Sequence, residues 1–146
     1  MVKNLYPQED PQPLDIFDRN CILILDEDPN YLEYLAENFR QQNFEVFSRT
    51  CGELGFKRAK QSIPDCIIVN SDLIDIDGID LCRKIVDDSI TCGIPVIAMG
   101  SPSDHGMVSS AKAAGSQFFV AKPVDPRVMV HLVNEAIAEA RSWILD

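Results

Sequence analysis

Five short apolar runs, separated by segments with helical spacing, most strongly constrain the fold of this chain. The first run, Cys21–Leu25 (CILIL), is continuously apolar, as expected for a strand buried on both faces. Four more strands are predicted, over residues 44–48, 65–70, 94–99 and 117–121. Strands that alternate with helices favour a parallel sheet covered on both faces and joined by right-handed crossovers. We therefore predict a doubly wound, five-stranded α/β domain.

Proline and small polar residues indicate where several helices begin and end. Asp28-Pro29 and Asp125-Pro126 each combine an N-cap carboxylate with a proline suited to the first helical position. They predict the starts of the first and last helices. Asn43 is a stop signal for the first helix. Thr50 and Glu53 have capping-box spacing ahead of a short second helix.

The length of 146 residues suits one compact domain. Pro7, Pro11 and Pro13 disfavour regular structure near the start of the chain. Residues 1–19 are therefore predicted to be a flexible extension, and residues 20–146 the folded domain.

Composition argues against several classes of function. The formal net charge of −10 disfavours direct nucleic-acid binding, which needs clustered lysine and arginine. No apolar run is long enough to span a membrane, and the first residues lack the apolar core of a signal peptide. The five cysteines are odd in number and form no C-x-x-C pair, which is typical of small buried hydrophobes in a reducing compartment. We therefore expect a cytoplasmic protein.

Polar residues or a glycine directly follow or end four of the predicted strands. Asp26 and Glu27 follow the first strand, Asn70 ends the third, and Gly100 and Lys122 follow the fourth and fifth. Because the carboxyl ends of parallel strands meet at one edge of a sheet, we expect these residues to converge there. Two adjacent carboxylates can hold a divalent cation, and a lysine opposite them can neutralise the cluster or bind a phosphoryl oxygen.

Residues 20–141 resemble the receiver domain of response regulators in two-component signalling. The family's first strand and acidic pair are similar to ILILDED, which places the pair at Asp26 and Glu27. Its third strand and following loop resemble PDCIIVNSDLIDIDGIDLCRKI, and its fourth strand resembles IPVIAMGS. Its fifth strand and lysine-proline pair resemble AAGSQFFVAKPV, with the pair at Lys122 and Pro123. The resemblance implies a flavodoxin-like fold, a signalling role without enzymatic activity, and a cis peptide before Pro123.

Three positions depart from the family pattern. In an active receiver the third strand ends in an aspartate that takes a phosphoryl group from a histidine kinase, whereas Asn70 stands here. Gly100 replaces the family's serine or threonine after the fourth strand, and the aromatic switch position holds Phe119, which has no polar tip. A carboxamide is not a competent phosphate acceptor because its nitrogen lone pair is delocalised. The resemblance therefore implies a degenerate receiver that acts by protein–protein interaction without phosphorylation.

The same departures bear on cofactors and partners. By resemblance, Mg²⁺ would be held by Asp26, Glu27 and the backbone carbonyl of Asp72, but the loss of one carboxylate weakens the site. We expect weak or absent Mg²⁺ binding and no required cofactor. The expected partner is a histidine kinase, an output domain or another signalling protein. A homodimer would use the fourth helix, fifth strand and fifth helix, where residues 103–114 predict a weak fourth helix.

Two alternatives remain open. In the first, the acceptor is Asp72, which lies about 6–7 Å beyond Asn70 if the strand continues that far. In the second, the chain is a small-molecule binder on a flavodoxin-like fold, although neither a G-x-G-x-x-G loop nor a Walker motif is present.

Overall fold

The computed structural model describes residues 19–101 and 106–145, with side chains up to residue 142. Apart from Arg19, the predicted flexible extension lies outside the described residues. Strands and helices alternate along the described chain. The strands are β1 (Cys21–Leu25), β2 (Glu45–Arg49), β3 (Cys66–Asn70), β4 (Val96–Gly100) and β5 (Phe118–Ala121). The helices are α1 (Pro29–Gln41), α2 (Gly52–Ser62), α3 (Gly78–Asp87), α4 (Met107–Ala113) and α5 (Pro126–Leu145).

The strands form one parallel sheet in the order β2-β1-β3-β4-β5. Side chains alternate along each strand, so β1 sends Ile22 and Ile24 to one face and Leu23 and Leu25 to the other. The first face packs against α1 and α5, and the second packs against α2, α3 and α4. The predicted doubly wound fold is confirmed, with strand bounds that differ from the predicted ones by at most two residues.

The local helix signals that involve proline and asparagine are also confirmed. Asp28 caps α1, because its side chain accepts hydrogen bonds from the backbone amides of Asn30 and Tyr31. Helix α5 begins at Pro126, as predicted. Helix α1 ends at Gln41, and Asn43 adopts a left-handed φ of 68° that turns the chain away from the helix axis.

The predicted capping box at the start of α2 is wrong. Cys51 holds the N-cap position and makes no side-chain capping bond. The carboxylate of Asp75 caps the helix instead, accepting hydrogen bonds from the backbone amides of Gly52 (2.6 Å) and Glu53 (2.9 Å). A residue from the loop between β3 and α3 has therefore replaced the local cap that Thr50 would have supplied.

Helix α4 is shorter than predicted. It spans Met107–Ala113, whereas residues 102–105, at the predicted start, lie outside the described part of the chain. Among the described helices, none is both long and apolar enough to cross a membrane.

Candidate functional site

An ion pair and a backbone hydrogen bond connect the carboxyl ends of β1, β4 and β5 at one edge of the sheet. Asp26 follows β1, and its Oδ2 lies 2.8 Å from the Nζ of Lys122, which follows β5. The backbone amide of Lys122 donates to the carbonyl of Gly100 at the end of β4 (2.8 Å). Of the two expected acidic neighbours of Lys122, Asp26 is thus in direct contact with it.

Asp26 is the deepest charged group at this edge, with a side chain that has no exposed surface. Both of its oxygens have donors, because Oδ1 accepts the backbone amide of Asp28 (2.9 Å) and Oδ2 accepts Lys122. A buried carboxylate needs such partners, since an unpaired charge away from water is costly. Glu27 differs: it is exposed, and among the described residues its carboxylate joins no ion pair.

Tyr31, in the first turn of α1, holds Lys122 from a second side. The Lys122 ammonium lies 4.4 Å from the centre of the Tyr31 ring, within the range of a cation–π interaction. The Tyr31 hydroxyl also accepts a hydrogen bond from the backbone amide of Val124 (3.3 Å). The Lys122–Pro123 peptide between these contacts is cis, as the resemblance implied. Sequence reasoning missed Tyr31, and its place in the helical turn after the acidic strand end was the available signal.

Asn70 is buried at the end of β3 and bonds within its own loop. Its Nδ2 donates to the backbone carbonyl of Asp72 at 2.8 Å. The Asp72 residue itself is exposed, and no described ion pair joins its carboxylate to Lys122. Gly78 closes the loop by donating its amide to the carbonyl of Ser71 (2.8 Å), and a Cβ at Gly78 would overlap the Asn70 carbonyl oxygen.

Two neighbouring side chains occupy the space beside Gly100. A Cβ placed on Gly100 would lie 2.7 Å from the Ser71 Oγ and 3.2 Å from the Cζ of Phe119. Ser71 is itself buried, and Phe119 packs against the core on the α2–α4 face of the sheet. The space that a larger residue would need at Gly100 is therefore taken. Sequence reasoning missed Ser71 because a serine beside an acidic loop carries no distinct signal.

A magnesium ion needs several free oxygen ligands in octahedral geometry. Asp26 accepts two donors and the Asp72 carbonyl accepts the Asn70 amide, whereas the exposed Glu27 carboxylate joins no ion pair among the described residues. Within the described residues, no three carboxylate, thiol or imidazole groups gather closely enough to hold a metal. Asp26, Glu27 and the Asp72 carbonyl are oxygen donors of the kind that Mg²⁺ takes, and an ion there would compete with Lys122 and with the Asn70 amide for two of them.

Comparison with known proteins decides the family. The family model described as the response regulator receiver domain matches residues 22–134. The chain belongs to this family. Receivers are signalling modules of two-component systems, where they interact with histidine kinases and output domains. The chain is therefore a receiver in which Asn70 ends the third strand.

Individual relatives are distant but cover most of the chain. The DNA-binding response regulator MtrA of Mycolicibacterium smegmatis is 28% identical over 116 residues, which is 80% of this chain and 50% of MtrA. Protein PilH of Pseudomonas aeruginosa is 25% identical over 117 residues, covering 80% of this chain and 97% of PilH. A crystal structure of a putative response regulator from Chloroflexus aurantiacus superposes with a TM-score of 0.79 at 26% identity, covering 83% of this chain and 99% of that one. The chain thus spans half of MtrA but nearly all of PilH.

Proposed function

We propose that this receiver signals through contacts with other proteins and does not take a phosphoryl group at Asn70. The observation that carries the proposal is the hydrogen bond from the Asn70 Nδ2 to the Asp72 carbonyl (2.8 Å). A carboxamide oxygen is a poor nucleophile, and here the amide group also fixes the loop in which a phosphoryl group would be received.

The charges of the pocket support the same proposal. The Asn70 side chain is neutral, so it adds no third carboxylate to Asp26 and Glu27. Lys122 and Asp26 can then balance each other's charge. No divalent cation is then needed to relieve repulsion, and the ligand oxygens stay bonded to internal donors. We therefore propose that Mg²⁺ binds weakly or not at all.

The residues around Gly100 also support the proposal, because they lack the groups that would respond to phosphorylation. Gly100 offers no hydroxyl to a phosphoryl group, and the Phe119 ring already occupies the space beside it. We infer that the ring stays against the core whether or not a phosphoryl donor is present.

The proposed partner is a histidine kinase, an output domain or another signalling protein. The surface of α4, β5 and α5 is also a candidate homodimer face, since Val108 on α4 and Val128 on α5 are 53% and 48% exposed. Both contacts would form without phosphorylation.

Intact-mass spectrometry after incubation with acetyl phosphate and Mg²⁺ tests the proposal. The unmodified protein should keep its mass, whereas Asn70→Asp should gain one phosphoryl group because Asp26, Glu27 and Lys122, which the resemblance assigns to the same site, are retained. The Asn70→Asp variant is the positive control for donor and conditions. An adduct on the unmodified protein that maps to Asp72 would overturn the proposal and favour Asp72 as the acceptor.

A further inference from the structure

Three lysines on α2 and α3 form a positively charged surface on an acidic protein. Lys57 and Lys60 lie on α2 and Lys84 lies on α3, and all three are exposed. We call them, together with Phe56 and Leu54, the α2–α3 cationic surface. Helix α2 carries three basic residues and one acidic residue, whereas the whole chain has a net charge of −10.

These lysines form no ion pair with a carboxylate among the described residues, and the same is true of Arg19, Arg49, Arg58 and Lys112. The residues that do form ion pairs are Arg40, Arg83, Lys122, Arg127 and Arg141. Within the described chain, none of the ammonium groups of Lys57, Lys60 and Lys84 forms an ion pair. The chain has 23 acidic residues, so the three ammonium groups are not unpaired for want of carboxylates.

Two of the lysines converge on a single aromatic ring. The Nζ of Lys60 lies 4.4 Å and the Nζ of Lys84 lies 5.1 Å from the centre of the Phe56 ring. Both charges interact favourably with the ring, yet they repel each other. A carboxylate from outside the domain would relieve that repulsion. The hydrogen bonds from the backbone amides of Gly52 and Glu53 lower the pKa of Asp75, and Lys84 adds to this effect, but those two amides already occupy the Asp75 carboxylate.

Apolar surface accompanies the charge. Phe56 is half-buried, and Leu54, one helical turn before Lys57, is 51% exposed. Such a combination suits a protein segment that carries both acidic and apolar side chains. A nucleic acid fits less well, because it needs many basic contacts and the net charge of the domain repels a polyanion.

We propose that the α2–α3 cationic surface is a docking site for an acidic segment of a partner protein, separate from the pocket at the strand ends. The carboxylates of that segment would lie between Lys60 and Lys84, and an apolar side chain would contact Phe56 and Leu54. This docking does not depend on the state of Asn70. The docking proposal can therefore be wrong while the proposed function is right, and the proposed function can be wrong while the docking proposal is right.

The test is a titration of ¹⁵N-labelled protein, followed by amide chemical shifts. The probe is a short synthetic peptide of glutamates around one phenylalanine, and the control peptide has glutamine at every glutamate. The chemical-shift changes should be confined to α2 and α3. They should disappear as the salt concentration is raised from about 50 to 500 mM, and they should be absent with the control peptide. The double substitution Lys60→Gln with Lys84→Gln should weaken binding about fivefold or more. Lys112→Gln, on exposed α4, is the matched control and should leave binding unchanged.

Several outcomes would overturn the proposal. They are shifts spread over other lysines, an equal effect of Lys112→Gln, or no binding by the unmodified protein. Tighter binding of a short DNA duplex than of the acidic peptide would assign the surface to nucleic acid. A dimer of the protein alone, seen by sedimentation and lost in the double variant, would assign it to a second copy. Circular dichroism of each variant checks folding, and the salt dependence of the unmodified protein needs no substitution.

Discussion

Lys122 and Asp26 form a 2.8 Å ion pair in which the carboxylate is fully buried while the lysine side chain is 26% exposed. The pair joins the ends of β5 and β1, which are separated in the sheet by β4 and β3. Its two partners are unequal. Without Lys122, Asp26 would be left as a buried charge with only the Asp28 amide as a donor, whereas Lys122 without Asp26 could still reach water.

Lys122→Met should therefore lower the free energy of unfolding by about 3 kcal/mol, the lower end for a broken buried pair since Lys122 is partly exposed, because it leaves the Asp26 charge uncompensated. Methionine keeps an unbranched apolar stem beside Tyr31, so the loss reports mainly the charge. Urea denaturation at neutral pH measures it. Arg127→Met is the control, since Arg127 is 91% exposed in its pair with Asp125 and should cost much less. Equal losses in the two variants would contradict the asymmetry.

Asn70→Asp should make the stability of the domain sensitive to Mg²⁺. A third carboxylate at the strand ends repels the first two, and it removes the amide that occupies the Asp72 carbonyl. In the variant, Mg²⁺ at about ten times its dissociation constant should raise the free energy of unfolding by about 1.4 kcal/mol. The unmodified protein should gain less than about a third of that. Matched NaCl controls for ionic strength, and equal stabilisation of both proteins would show that Asn70 does not govern metal binding.

The strand ends could be predicted from the sequence because a short apolar run followed by a polar residue is a local pattern. Asp26, Asn70 and Lys122 each end or follow such a run, and parallel strands bring their ends together. The Asp28 and Pro29 start of α1 was equally local.

The contacts that the sequence did not reveal join distant parts of the chain. Tyr31 accepts the Val124 amide 93 residues away, and Asp75 caps a helix that begins 23 residues earlier. A capping box is defined by residues that are neighbours in the sequence, so the pattern predicted Thr50 as the cap of α2. Tertiary packing instead brings the Asp75 carboxylate to that position. Such contacts depend on how helices and loops pack on the sheet, which hydrophobic periodicity does not specify.

Asp75→Asn should destabilise the domain at neutral pH and have less effect in acid. The hydrogen bonds from the Gly52 and Glu53 amides hold the pKa of Asp75 below its ordinary value. A lowered pKa means that the carboxylate stabilises the fold above the ordinary pKa, and that this stabilisation is lost as the pH falls through the lowered one. Unfolding midpoints across that acid range measure the difference. Thr50→Ala is the control and should change the stability of the domain little. A larger effect of Thr50→Ala than of Asp75→Asn would mean that Thr50 caps α2 after all.

The cysteines should differ in their reaction with iodoacetamide at about pH 8. Burial raises the pKa of Cys66 and of Cys82 to about 12, so almost no thiolate is present. Cys21 is half-buried, and its pKa is raised to about 11 by burial and by the charges of Glu45 and Asp65. Exposed Cys92 should be alkylated first in the native protein. Peptide mapping measures the order, and denaturation in urea should make all sites reactive. Native-state alkylation of Cys66 as fast as that of Cys92 would contradict its burial.

The close packing of Gly100 against Ser71 predicts that substitutions at these two positions are coupled. Gly100→Ala would place a Cβ 2.7 Å from the Ser71 Oγ and should cost about 1–2 kcal/mol of stability. In a Ser71→Ala background the nearest atoms would be Phe119 Cζ at 3.2 Å and the residue 71 Cβ at 3.3 Å, so the cost should fall by at least about 0.5 kcal/mol. Urea denaturation of the four proteins of this cycle measures the coupling. Additive losses would mean that Ser71 moves aside without cost, and that the space beside Gly100 is not fixed by its neighbours.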